Sequence, residues 1–144
     1  MLTQNEITSL PWVNVIISDS KIIANYQVVE INGNFYTVHG NITFPNSCNL
    51  QIRCYNKNGQ IILFDSQNRT LARLQSADVI KSKVDDFNGF AYGKTFELRN
   101  GQVWQQSDSL DSPCQPGGDV WILNHNIMRV ANWNFDIVVT QIKE

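Results

Sequence analysis

The 144-residue chain is sparse in the side chains that carry catalysis. It has two histidines, His39 and His125, and three cysteines, Cys48, Cys54 and Cys114. General acid–base work needs paired, facing titratable groups. Asp85 and Asp86 are adjacent, so on a strand they point to opposite faces, and they read better as turn residues. Asp108, Asp111 and Asp119 are oxygen donors for a hard cation, but no calcium-loop spacing and no bidentate Glu accompanies them. His39 has no acidic or nucleophilic neighbour in the sequence. His125 sits in Asn124-His125-Asn126, which reads as a hairpin turn. Cys114 lies between Pro113 and Pro116 in a loop, and a nucleophilic role there needs an oriented His. It is instead the thiol expected to react with a thiol reagent. Gly117-Gly118 lacks the following Lys and the helix of a phosphate-binding loop. No acid, base and nucleophile are spaced together, so the expected protein is not an enzyme and holds neither metal nor cofactor.

The remaining cysteines argue the same way. Cys48, Leu50, Ile52 and Cys54 alternate onto one face of CNLQIRC. Six strand residues span ~20 Å, whereas bridged Cα atoms lie within ~7 Å. Cys48 and Cys54 therefore cannot pair if this is a strand. They read as small buried residues in a reducing cytosol, and the absence of CxxC spacing excludes a metal or redox pair. The net charge of −2 has no basic block behind it, so the footprint of a nucleic-acid binder is missing. No apolar run approaches the ~18 residues of a membrane span. The opening MLTQNEITSLPW has no basic region followed by an apolar stretch, so no signal peptide is expected. The cytoplasm is the expected compartment. The sequons Asn41-Ile42-Thr43 and Asn68-Arg69-Thr70 are then chance products of an Asn-rich chain.

Fifteen Ile and twelve Val against five Ala point to an all-β protein. Only 17% of residues are charged, so seventeen Asn and eleven Gln must cover much of the surface. One short helix is expected at about residues 4–10. Thr3 and Glu6 fit a capping box, Leu2 and Ile7 the accompanying staple, and Pro11 ends the segment. Strands and turns follow. Three Asn-Gly dipeptides, Asn32-Gly33, Asn58-Gly59 and Asn100-Gly101, fall between β-rich runs and predict type I′ hairpins. The runs 12–17, 22–31, 35–44, 48–55, 60–64, 70–74, 79–84, 94–99, 102–106, 120–123, 127–131 and 135–142 complete an antiparallel pattern. Polar residues at 75–78 mark a boundary between an N-terminal β subdomain, 1–76, and a second one, 77–144, with the two expected to pack closely. The first reads as a sandwich-like sheet. The loop 107–119 is long enough to be functional.

Residues 80–106 read IKSKVDDFNGFAYGKTFELRNGQVWQQ. This resembles a motif of uncharacterised bacterial proteins, an Ile-x-Ser-x-Ile opening followed by F-x-G-W/F-x-x-G-x-x-F-x-L-x-N-G-Q-x-W-x-Q. Val120–Ile122, Ile127–Val130 and Val138–Ile142 resemble the closing strands of the same domain. Phe90 stands where tryptophan is commoner, Asp86 also departs, and the 107–119 loop lacks tyrosines. The resemblance covers about residues 79–143 and implies an SH3-like barrel with no assigned activity.

A two-residue loop at Asn100-Gly101 would pair Glu97 with Trp104 and Leu98 with Val103. Trp104 would then lie on a polar face beside Glu97 and Arg99. A large aromatic among polar groups marks either an interface or a surface covered by the rest of the chain. Phe90 and Phe96 are expected in the core, while Tyr92 and Trp133 join Trp104 as candidate binding residues. The leading expectation is a binding or assembly module that contacts another protein, or a second copy, through this aromatic-bearing face. The alternative is small-molecule or glycan binding in a crevice between the halves, and the third is an enzyme of unknown class.

Overall fold

The computed structural model describes residues 2–85, 89–111, 118–130 and 136–143. The described elements are one short helix and thirteen strands, all paired antiparallel. They fall into two compact units that divide between Ala77 and Asp78, one residue beyond the boundary read from the sequence. No described helix is long and apolar enough to cross a membrane.

Unit 1 opens with helix α1, Gln4–Ser9. The expected capping box is present. The Glu6 N–H donates to Thr3 Oγ1 at 3.2 Å, and the Thr3 N–H donates to Glu6 Oε1 at 3.0 Å. A six-residue helix is too short to stand alone, and its buried residue is Ile7. Seven strands follow: β1 (Trp12–Ile17), β2 (Asp19–Ile23), β3 (Tyr26–Ile31), β4 (Asn34–His39), β5 (Cys48–Lys57), β6 (Gln60–Phe64) and β7 (Thr70–Ala77). Their order in the sheet is β1-β5-β6-β7-β4-β3-β2. The two outermost strands are consecutive in the chain. They meet at Ser18, whose N–H donates to Glu30 O at 2.9 Å.

Alternation along these strands builds the core of unit 1. Ile17, Val29, Ile31, Val38, Ile52, Leu63, Ala72 and Leu74 pack inward, with Cys48, Leu50 and Cys54 against them. Burial raises both thiol pKa values. Asn32-Gly33 and Asn58-Gly59 are left-handed at both residues, with φ of 52° and 79° and of 51° and 78°. They close two-residue loops between Ile31 and Asn34 and between Lys57 and Gln60, as type I′ turns require. A third such turn lies where the sequence suggests an unbroken strand over 22–31. Ala24 and Asn25 have φ of 53° and 66° and join Ile23 to Tyr26. Ala carries no turn signal, which is why the reversal is hidden in the sequence. A buried amide then ties down the segment after β4. Gln27 Nε2 donates to Phe44 O at 2.7 Å, and Gln27 Oε1 accepts from the Phe44 N–H at 2.9 Å.

Unit 2 contains β8 (Val79–Lys83), β9 (Thr95–Glu97), β10 (Val103–Gln106), β11 (Asp119–Leu123), β12 (Ile127–Val130) and β13 (Ile137–Lys143), in the order β8-β11-β12-β13-β10-β9. The Arg99 N–H donates to Lys83 O at 2.8 Å, so the chain just past β9 reaches the far outer strand. The core holds Phe90, Phe96, Leu98, Trp104, Val120, Ile122, Met128, Val130, Ile137 and Val139. Phe90 and Phe96 meet edge to face at 6.2 Å.

The hairpin at Asn100-Gly101 corrects the sequence-based register. Trp104 pairs with Phe96 and Val103 with Glu97. The Leu98 N–H donates to Gln102 O, and the Gly101 N–H donates to Leu98 O. The loop is therefore three residues, with Gly101 alone left-handed at φ 92°. This is the loop in which a turn ends on a left-handed glycine bulge. One extra loop residue slips the ladder by one position and turns the side chains of β10 over, while Phe96 and Leu98 stay inside. Trp104 goes inside and is fully buried, so the exposed platform expected at this residue does not exist.

Three substitutions test these assignments. Trp104→Ala is expected to cost about 3–5 kcal/mol in denaturant unfolding, as for a truncated core aromatic; an effect under about 1 kcal/mol would contradict its burial. Gly101→Ala meets open space but keeps a left-handed backbone, so a loss of about 1–2 kcal/mol is expected. Ala24→Gly relieves the same strain and is expected to be neutral or to stabilise by up to about 1 kcal/mol.

Candidate functional site

The residues singled out by sequence do not converge. Trp104 is in the core of unit 2, where its Nε1–H donates to Gln102 Oε1 at 3.1 Å. Glu97 is exposed on the edge strand β9. Arg99 forms a forked ion pair with Asp85. That pair holds the Asp85 carboxyl below its usual range and raises the guanidinium. Tyr92 stands 76% exposed at the tip of the turn Ala91–Lys94. Trp133 and Cys114 lie outside the described residues, as does the 112–117 part of the 107–119 loop.

Asp108 and Asp119, two of the candidate acids, have partners within the fold, and Asp86 lies outside the described residues. Asp108 accepts from the Leu110 and Val138 N–H groups at 3.2 and 2.8 Å and from Gln106 Nε2 at 2.7 Å. Gln106 is itself buried, accepts from the Ala91 N–H and donates to Leu110 O. Asp119 lies 3.7 Å from Lys83. Among the described residues, no three His, Cys, Asp or Glu side chains gather as a metal site. His39 bonds Thr37 Oγ1 at 2.8 Å and packs on Tyr26 at 5.3 Å between ring centroids. His125 has an acidic partner that its sequence neighbours do not reveal: Nε2 lies 2.6 Å from Asp78 Oδ2, and the ring stacks on Trp104 at 6.2 Å. Among the described residues, no hydroxyl or thiol bonds this imidazole.

A concave site instead lies on the outer face of unit 1. It has a volume of about 690 Å³, within the range of small-molecule sites. Strand pairing sets three cross-strand rows on this face, and all of their residues except Gln75 and Arg53 line the groove. Lys57, Gln60 and Gln75 form the row nearest the β5–β6 hairpin. Tyr55, Ile62 and Arg73 form the next row, and Arg53, Phe64 and Thr70 the third. Alternation explains this face. With Ile52, Cys54, Leu63 and Leu74 turned to the core, their neighbours must point outward. Leu2, Gln4 and Ile7, from α1 and the residue-2 end, close the site beside the third row. Ile7 and Phe64, each 5% exposed, give that end an apolar floor.

The turn 65–69 holds the helix against this face. Asn68 Nδ2 donates to Thr8 Oγ1 at 2.9 Å, and Asn68 Oδ1 accepts from Arg53 Nη1 at 3.1 Å. Arg53 in turn lies 4.6 Å over the Trp12 ring. Asp65 organises the turn. It accepts from the Arg69 and Gln67 N–H groups at 3.0 and 2.8 Å and pairs with Arg69 Nε at 3.4 Å.

The charge of the groove is one-sided. Lys57, Arg69 and Arg73 line it, and no Asp or Glu does among the described residues. Glu6 is turned back into the capping box, and Asp65 is spent on its own turn. Lys57 and Arg73 form no ion pair among the described residues. None of this was read from the sequence, although the alternation of CNLQIRCYNK places Arg53, Tyr55 and Lys57 together on the face opposite the cysteines.

The Asp65 turn gives a pH test. The Arg69 backbone N–H, then the Gln67 N–H and the Arg69 charge, lower the Asp65 pKa. A carboxyl whose folded pKa lies below its unfolded value contributes fully above the unfolded value, and that contribution is lost as pH falls through the folded one. In an NMR titration, Asp65 is expected to have a midpoint below the ordinary ~3.9; a midpoint at or above that value would contradict the turn. No family model, curated protein or solved structure matches the chain.

Proposed function

We propose that the protein is a non-catalytic binding module and that the outer-face groove of unit 1 is its recognition site. The observation that carries this is the combination of an apolar floor with three cations and no acidic lining in one concavity. Small-molecule sites are built in this way, from an apolar body and a few placed polar groups. This reading takes up the alternative expectation from sequence, small-molecule binding, and places it on unit 1 rather than in a crevice between the halves; the leading expectation is a protein partner. Trp104 is buried and offers no exposed platform, and the groove is the site proposed in its place.

Two finer readings accompany this one. Free Cys48 and Cys54 at half-buried positions support a reducing, cytoplasmic compartment. The Arg99–Lys83 backbone bond between outer strands of unit 2 supports an SH3-like barrel over 77–144.

The test is an NMR screen of a small aromatic fragment set on the full chain. Amide shifts are expected to concentrate at Tyr55, Lys57, Ile62 and Arg73, and Ile62→Arg is expected to remove them while the remaining spectrum stays folded. Shifts concentrated around Tyr92 or elsewhere in unit 2, or no shifts at all, would overturn the assignment.

A further inference from the structure

The groove has a direction, and the direction selects a ligand. Along β6 the outward residues run Gln60, Ile62, Phe64, from polar to apolar. Successive rows are two residues apart, so the polar and apolar ends are separated by roughly 13 Å at ~3.3 Å per residue. Lys57 and Arg73 sit in the two rows toward the hairpin. Leu2 and Ile7 line the groove together with Phe64, whose row ends in the polar Thr70. Arg69 is held by Asp65, which leaves Lys57 and Arg73 as the cations able to take a new partner. Tyr55 and Ile62 lie between the two ends, beside Arg73.

From this arrangement we infer that the groove takes a small amphipathic anion. Its apolar body lies over Ile62 and Phe64 toward α1, and its carboxylate or phosphate head faces Arg73 and Lys57. This rests on the groove being the recognition site. The planar guanidinium of Arg73 offers a fork of donors that matches either head, while the Lys57 ammonium adds a point charge. A neutral ligand of the same shape would leave both cations without a counter-charge. A purely inorganic anion would leave the apolar floor open to water. The groove therefore discriminates through both halves of the ligand at once, and the polar half is sensitive to salt.

The experiment uses three probes with one apolar body: 2-naphthoate, 2-naphthyl phosphate and 2-naphthamide. Each is titrated into the full chain by NMR at low salt. At least one of the two anions is expected to bind tenfold or more tightly than the amide, and the tighter of them identifies the head. Arg73→Gln, at an exposed position, is expected to weaken that anion at least fivefold and leave the amide unchanged. If the amide shifts groove resonances with the same affinity as both anions, the ligand class is wrong while the groove remains a binding site. If none of the three shifts Tyr55, Ile62 or Arg73, the groove reading itself falls, and this inference with it.

Discussion

Backbone conformation at the reversals governs nearly everything else in this molecule. In a pleated strand, neighbouring side chains face opposite ways, so the number of residues in a loop decides which of them enter the core. Two-residue loops at Asn32-Gly33 and Asn58-Gly59 send Val29, Ile31, Ile52 and Leu63 inward. The second of these loops also fixes the β5–β6 ladder, and with it the outward row of Tyr55, Ile62 and Arg73. The groove is therefore a by-product of the same register that fills the core. Arg73 is exposed because its strand neighbours Ala72 and Leu74 are buried.

Buried amides hold what the ladders leave loose. Gln27 meets both the N–H and the C=O of Phe44, a side-chain imitation of a strand pair. Gln106 does the same work in unit 2, joining Ala91, Asp108 and Leu110. A buried polar group without such partners would cost about 1–3 kcal/mol. The abundance of Asn and Gln thus has two uses here, covering the surface and fastening irregular backbone. Asp108 shows how a carboxylate that resembles a metal ligand in sequence is consumed as an acceptor for backbone N–H groups.

Much of the fold was legible in the sequence, because it rests on local rules. The capping box at Thr3 and Glu6, the bounds of β1 and β6, and two of the Asn-Gly turns follow from residue type and alternation. Two reversals escaped for opposite reasons. Ala24-Asn25 turns left-handed without the glycine of an Asn-Gly pair, whereas Asn100-Gly101 signals a two-residue loop and forms a three-residue one. The dipeptide reports that the chain turns, not how many residues the turn contains. That single uncertainty moved Trp104 from the surface to the core. The candidate site was not legible at all. It gathers Leu2 and Ile7, Tyr55 and Lys57, Ile62, and Arg73 from four separate elements, and only strand pairing brings them side by side.

The junction at Ser18 has a consequence for how the protein resists self-templating. β1 and β2 are one continuous run, the first half completing one margin of the seven-stranded sheet and the second half the other. A proteolytic cut that released this run would expose bare donors and acceptors on β5 and β3 together. Such unprotected margins recruit identical strands from neighbouring molecules. The β1–β2 run thus covers two sheet margins at once as well as contributing to the core.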